Sequence, residues 1–231
     1  MSGATGWLLA IDTATATIVV AAGTPDGHLL AAKAFEGGYR HSQELLPAVV
    51  RLIEEAGLRL ADLAGIVVGT GPGAFTGLRV GLATAKTLAH ELHVPVVGVP
   101  TSDALLAGSP DAATLWLPSG PRERLLVTAG GAPVVVTGAG DPDAIGHDAS
   151  PGDAGPDVAV DLAGRASDAA LELGRAAVEA LPASLLRLGA ARIAAGDVDD
   201  PERLVPAYAS APRGAVEGQA EGNVAWSRDP R

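Results

Sequence analysis

The chain has 231 residues, a net charge of −11 and no cysteine. A chain of this length can bury a hydrophobic core as one large domain or two small ones, and 48% apolar residues are typical of a folded protein. The missing cysteines exclude disulfides and thiolate metal sites, and the scattered Lys and Arg residues exclude a basic stripe for gripping nucleic acid.

The N-terminal sequence lacks the basic segment and long apolar run of a signal peptide, and no apolar stretch is long enough to span a bilayer. We therefore expect a cytoplasmic protein that makes no membrane contact.

The first hundred residues predict one α/β layer. Apolar and β-branched runs predict strands at Trp7–Asp12, Thr17–Ala22 and His28–Phe35, with a turn at Thr24–Gly27. The segment "HSQELLPAVVRLIEEAGL" has the apolar spacing of an amphipathic helix. It is followed by a predicted strand in "LAGIVVG", a helix from about residue 76 to 92, and a strand in "VPVVGVPT".

After Thr101 the pattern changes to short strands with Gly and Pro turns, in "TLWLPSGPRERLLVTAGGAPVVVTG". An acidic loop, "AGDPDAIGHDASPGDAGPD", comes next, and two segments then have helical periodicity: "ASDAALELGRAAVEAL" and "ASLLRLGAARIAAG". These changes predict an N-terminal lobe over residues 1–102, a smaller α/β lobe over 103–206 and a polar tail over 207–231.

The glycine-rich stretch "GTGPGAFTGLRVG" raises the question of a phosphate-binding loop. A P-loop requires G-x-x-x-x-G-K-[ST], but Lys86 follows an alanine deep in the predicted helix. The dinucleotide pattern G-x-G-x-x-G fails because alanine occupies position 74. We therefore favour a tight structural turn between strand and helix; the alternative is an anion attracted to the helix N-terminus and Arg79.

Other catalytic patterns are also absent from the sequence. His90 and His93 could pair on a metal, but no third ligand is evident. The acidic loop lacks oxygen ligands at the positions that a calcium loop requires, and no "G-x-S-x-G" nucleophile motif occurs. We predict no catalytic residue, no metal and no cofactor.

Four segments carry a family resemblance: "LLAIDTAT", "HSQELLP", "GPGAFTGLRVGLATAKTLA" and "VPVVGVPT". Their order and spacing resemble those of the TsaB (YeaZ) family, and "LVPAY" and "NVAW" resemble the family's ending. The resemblance implies an actin-like, sugar-kinase-like fold (ASKHA, ribonuclease H-like) with two α/β lobes, the second reduced. "PSGPRE" and "YAS" depart from the family pattern in the second half.

The resemblance also implies a non-catalytic subunit of the tRNA threonylcarbamoyladenosine (t6A) complex. Such a subunit forms a heterodimer with the TsaD-like transferase that modifies the adenosine next to the anticodon. A TsaE-like ATPase is a further implied partner, and tRNA is contacted only through the complex.

The implied partner surface lies on the first two helices. The first helix has more apolar positions than one buried stripe needs, and the second carries small residues every four positions. We expect a weak homodimer through this surface when the partner is absent. The predicted interface residues are Leu45, Leu46, Val49, Val50, Ile53, Leu78, Gly81, Leu82, Ala85 and Ala89.

Two other classes of protein stay open as alternatives. A free-standing kinase or ATPase of the actin-like fold is disfavoured because "DTATAT", Asp12 to Thr17, contains no glycine to admit a phosphate. A TsaD-like metalloenzyme or protease is disfavoured because no HxxxH pair follows "GVPT".

Overall fold

The computed structural model of the protein describes residues 6–37, 41–119, 123–137 and 156–208. The elements of the first hundred residues occur in the predicted order. They are β1 (Trp7–Asp12), β2 (Thr17–Gly23), β3 (Leu29–Glu36), α1 (His41–Glu55), β4 (Leu63–Gly69), α2 (Phe75–Leu92) and β5 (Val96–Val99), with a 3-10 turn at Leu60–Asp62 before β4.

The five strands form one mixed sheet in the order β3-β2-β1-β4-β5. β1, β2 and β3 are antiparallel neighbours, whereas β4 and β5 run parallel to β1. In the centre, Ala10 lies opposite Ala21 of β2 and Val67 of β4. This strand order is that of the ribonuclease H-like, actin-like fold, so the predicted fold class is confirmed.

Alternate residues of β1 enter two different cores because successive side chains of a strand point to opposite faces. Trp7, Leu9 and Ile11 pack with residues of α1 and α2. Leu8 and Ala10 pack on the other face, in a cluster that also contains residues of the second half of the chain. Both faces are covered, which explains the unbroken apolar run of this strand.

Within the described ranges, the second half of the chain forms a smaller sheet and two further helices. Its strands lie in the order β8-β7-β6-β9, with β9 parallel to β6. None of the helices in the described ranges is both long and apolar enough to cross a membrane. The elements are α3 (Thr101–Ala107), β6 (Thr114–Pro118), β7 (Glu123–Thr128), β8 (Val134–Thr137), β9 (Asp157–Ala159) and α4 (Asp168–Ala194).

The prediction of two helical segments after residue 166 is wrong in one respect, because α4 is a single helix of 27 residues that continues through Pro182. A proline inside a helix costs about 3 kcal/mol. Here Leu181, Leu185 and Leu186 are fully buried around it, and their burial offsets that cost. The helix begins at the N-cap Ser167, whose hydroxyl accepts a hydrogen bond from the Ala170 N–H.

α4 packs against both sheets. Its residue Gly189 lies so close to β4 that an added Cβ would be 2.3 Å from Val67 Cγ2. The same helix contributes Leu185 to a cluster that contains Leu8 of the first sheet and Leu115 of the second. The division into lobes at residue 102 stays a prediction.

A C-terminal segment, residues 197–208, covers the outer edge of β5. The Asp199 N–H donates to the Val96 carbonyl, and its carboxylate accepts from the Gly98 N–H at 2.7 Å. Arg192 holds the segment through ion pairs with Asp197 and Asp199. The predicted polar tail begins inside this segment, and its residues from 209 onward lie outside the described ranges.

Candidate functional site

Asp12 ends β1 at the carboxyl edge of the first sheet. Here its side chain is fully buried. One carboxylate oxygen accepts from the Ala14 N–H at 2.9 Å, and the other accepts from the Thr101 hydroxyl at 2.6 Å. The Thr101 hydroxyl in turn accepts from the Gly71 N–H at 3.1 Å. This Asp12 centre therefore joins β1, the glycine-rich turn and α3.

Burial raises the pKa of Asp12 to about 6, although the hydrogen bonds from Thr101 and Ala14 oppose the rise. Sequence reasoning missed the partner Thr101, because the strand pattern of "VPVVGVPT" assigns no role to its threonine. A threonine at the first residue of a helix does not by itself indicate a hydrogen bond to a distant aspartate. The pairing can be recognised only once the fold places Thr101 next to the end of β1.

The glycines of "GTGPGAFTGLRVG" make room for the turn between β1 and β2. A Cβ at Gly69 would lie 1.7 Å from an Asp12 carboxylate oxygen, and one at Gly73 would lie 2.1 Å from the Ala14 carbonyl oxygen. A Cβ at Gly81 would lie 2.2 Å from the Thr13 hydroxyl. The prediction that this stretch is a close-packed structural turn is confirmed.

Two groups near the start of α2 already have partners within the chain. The Ala74 N–H already donates to the Ala14 carbonyl at 2.7 Å. Arg79 is turned toward the C-terminal segment: its Nε donates to the Tyr208 hydroxyl at 2.9 Å, and its guanidinium carbon lies 3.8 Å from the centre of the Phe75 ring.

The other candidate sites of the sequence do not assemble into a centre. His90 and His93 lie at the end of α2, and the described ranges contain no group of three or more acidic or histidine side chains able to hold a metal. Most of the acidic loop lies in residues 138–155, which are outside the described ranges.

One face of α1 leaves apolar side chains in solvent. Leu46 is 49% exposed and Val50 is 52% exposed, and the two lie one helical turn apart. Ile53 is half-buried, whereas Leu45 and Val49 on the neighbouring face are buried against the sheet. We call Leu46 and Val50 the exposed apolar pair of α1.

The predicted interface residues on α2 are not on the surface. Leu78, Gly81, Leu82, Ala85 and Ala89 are all buried in the chain itself. The small residues allow α2 to lie close to its own sheet and to the β1–β2 turn. The interface as a whole stays a prediction, but its accessible part is the exposed apolar pair of α1 with Ile53.

Comparison with known proteins identifies the family. The family model described as TsaD, tRNA N6-adenosine threonylcarbamoyltransferase, matches residues 36–176, more than half of the chain. The tRNA threonylcarbamoyladenosine biosynthesis protein TsaB of Escherichia coli is 38% identical over 106 residues, which cover 44% of this chain and 43% of that protein. The TsaB of Bacillus subtilis is 37% identical over 100 residues, which cover 43% of this chain and 43% of that protein. The chain belongs to the TsaB/YeaZ family.

The solved structure of YeaZ from Pseudomonas aeruginosa extends this relationship beyond the first half of the chain. It superimposes with a TM-score of 0.66 and 26% identity, over 88% of this TsaB-family chain and 99% of that one. By sequence, this TsaB-family chain spans 43% of the length of both named TsaB relatives, so the sequence match is confined to part of them.

Proposed function

We propose that the chain is a non-catalytic cytoplasmic subunit of t6A biosynthesis, which pairs with a TsaD-like transferase and activates it to modify the adenosine next to the anticodon. The names of the E. coli and B. subtilis TsaB relatives place those proteins in this pathway. The observation that carries the proposed pairing is the exposed apolar pair of α1, Leu46 and Val50.

Two exposed aliphatic side chains one turn apart on a helix form a suitable contact for a helix of another chain. Fully burying such a side chain contributes about 1.5–3 kcal/mol, whereas association costs on the order of 4–15 kcal/mol. A homodimer through this pair alone is therefore weak. A TsaD-like subunit that offers a larger matching surface would displace it.

The Asp12 centre supports the non-catalytic part of the proposal. A kinase or ATPase would need the Asp12 carboxylate to face a metal-bound nucleotide, but both of its oxygens accept hydrogen bonds inside the protein. The turn that follows Asp12 is packed against Gly73 and Gly81, so the chain itself occupies the space near the helix. These contacts favour a subunit over the kinase alternative.

The pairing is tested by mixing the purified chain with a TsaD-like subunit and measuring mass by size-exclusion chromatography with light scattering. We expect a one-to-one heterodimer. Threonylcarbamoyl-adenylate and unmodified tRNA, with a TsaE-like ATPase present, should give t6A only when both subunits are included. Formation of t6A at the same rate without this chain would contradict the proposal, and so would turnover by this chain alone.

The isolated chain should bind ATP and Mg²⁺ with no detectable heat in isothermal titration calorimetry at micromolar protein. The reason is the buried, hydrogen-bonded Asp12 and the glycine-free turn beside it. The TsaE-like ATPase in the same buffer is the positive control. A micromolar dissociation constant for this chain would favour the kinase alternative.

The isolated chain should not shift tRNA in a gel at physiological salt, because a net charge of −11 repels the phosphate backbone. Retention of tRNA should appear only after the TsaD-like subunit is added. A salt-dependent shift produced by this chain alone would overturn the expectation.

A further inference from the structure

A groove of about 520 Å³ lies where the end of β3 meets the loop after β9 and the first half of α4. Its apolar lining includes Phe35, Leu162, Leu171 and Val178. β3 is the edge strand of the first sheet, so within the described ranges its outer side has no neighbouring strand. The groove shares no residue with the Asp12 centre or with the exposed apolar pair of α1.

Three carboxylates line this groove: Glu36, Asp161 and Glu179. Among the described residues, no lysine or arginine forms an ion pair with any of them. Arg175 also lines the groove, but its charge is matched by an ion pair with Glu172. The groove therefore carries an excess of negative charge over an apolar floor.

Asp161 is held in place by the turn between β1 and β2. Its carboxylate accepts from the Ala16 N–H at 2.6 Å, and its backbone has the left-handed φ of 57°. Burial raises the pKa of Asp161, and the nearby charge of Glu36 adds to the rise, while the bond from Ala16 opposes it. A positive group placed beside the two carboxylates would relieve their repulsion.

We propose that this groove is a docking surface for an extended segment of another protein in which apolar residues alternate with lysine or arginine. Apolar side chains of the segment would contact the floor at Leu171 and Val178 of α4, and a basic side chain would lie beside Glu36 and Asp161. An extended segment suits the site because its alternate side chains separate onto two faces, one for the floor and one for the acidic rim.

The test uses the full chain and a fluorescein-labelled peptide, Val-Lys-Val-Arg-Val-Lys-Val, followed by fluorescence anisotropy. We expect binding that weakens with added salt, and no binding of the analogue in which glutamate replaces each basic residue. The double variant Glu36→Gln with Asp161→Asn should weaken binding by about tenfold or more. The asparagine introduced by Asp161→Asn keeps an oxygen that can accept the Ala16 N–H.

The matched control removes the same charge from exposed positions elsewhere, with Glu91→Gln and Glu202→Gln, and should leave the affinity within about twofold. Failure of the peptide to bind the unaltered chain, equal weakening by both double variants, or binding of the acidic analogue would each overturn the proposal. If circular dichroism shows that the double variant does not fold, Glu179→Gln at an exposed position replaces it, and an unchanged affinity would then overturn the proposal. No TsaD-like subunit is present, so these outcomes are independent of the proposed pairing.

Discussion

Replacing Leu46 by glutamate is expected to weaken pairing with the TsaD-like subunit strongly and to leave the chain folded. The side chain is 49% exposed, so the substitution does not disturb the core. In a heterodimer, the glutamate would bring an unpaired carboxylate into an apolar contact, which costs several kcal/mol. A cost of about 3 kcal/mol corresponds to a loss of affinity of roughly 150-fold. The measurement is the dissociation constant for the TsaD-like subunit, with t6A formation as a second readout.

Leu60→Glu is the matched control, because Leu60 is 46% exposed and lies in the 3-10 turn before β4 rather than on α1. It introduces the same charge into the same residue type and should leave the affinity within about twofold. Leu82 is unsuitable as a surface probe, since it is only 4% exposed. If Leu46→Glu is folded by circular dichroism and pairs as well as the unaltered chain, the partner surface lies elsewhere.

Asp12→Asn is expected to remove a pH dependence of stability. The pKa of Asp12 is about 6 in the folded chain against an ordinary value of 3.8, so the folded state holds the proton more tightly. The unaltered chain therefore has the full stabilising contribution of the protonated carboxyl below pH 3.8 and loses it as the pH rises through 6. The difference between these two pKa values corresponds to a change of about 3 kcal/mol in the free energy of unfolding.

The free energy of unfolding is measured by urea denaturation between about pH 3.5 and 7.5. As the pH rises across this range, the unaltered chain should lose about 3 kcal/mol of its free energy of unfolding relative to Asp12→Asn. Thr101→Ser keeps the hydroxyl that donates to Asp12 and is the control; it should retain the pH dependence. A difference that stays constant with pH would show that Asp12 is not the titrating group.

Local patterns predicted the first half of the fold well. The apolar run of β1, the Thr24–Gly27 turn and the amphipathic spacing of α1 each determine an element through contacts close in sequence. The resemblance then supplied the fold class, which periodicity alone cannot give. The failure of two phosphate-loop spacings led to the interpretation of Gly71, Pro72 and Gly73 as a tight structural turn, and the close packing of Gly73 against Ala14 agrees with it.

The features that the sequence did not predict share a different cause. Each depends on contacts between residues that are far apart in the sequence. α4 continues through Pro182 because the leucines around this proline pack against strands that are far away in the sequence. The rule that a proline ends a helix, which holds for isolated helices, therefore fails here. Asp12 and Thr101 are 89 positions apart, and only the folded sheet brings them to 2.6 Å. The small residues of α2 have the four-residue spacing of a helix–helix contact surface. In the fold, this face of α2 packs against the chain's own sheet and is not available to a partner.

The position of α4 has a consequence for how the protein is made. Leu8 and Ala10 of β1 are covered by a cluster that includes Leu185 and Leu186, so this face of β1 cannot be buried until α4 has been synthesised. At about 5–20 residues per second, the interval between completion of β5 and of α4 is roughly 5–20 s. For that time one apolar face of the nascent sheet stays open on the ribosome. This interval is when chaperones would bind and when aggregation would compete with folding.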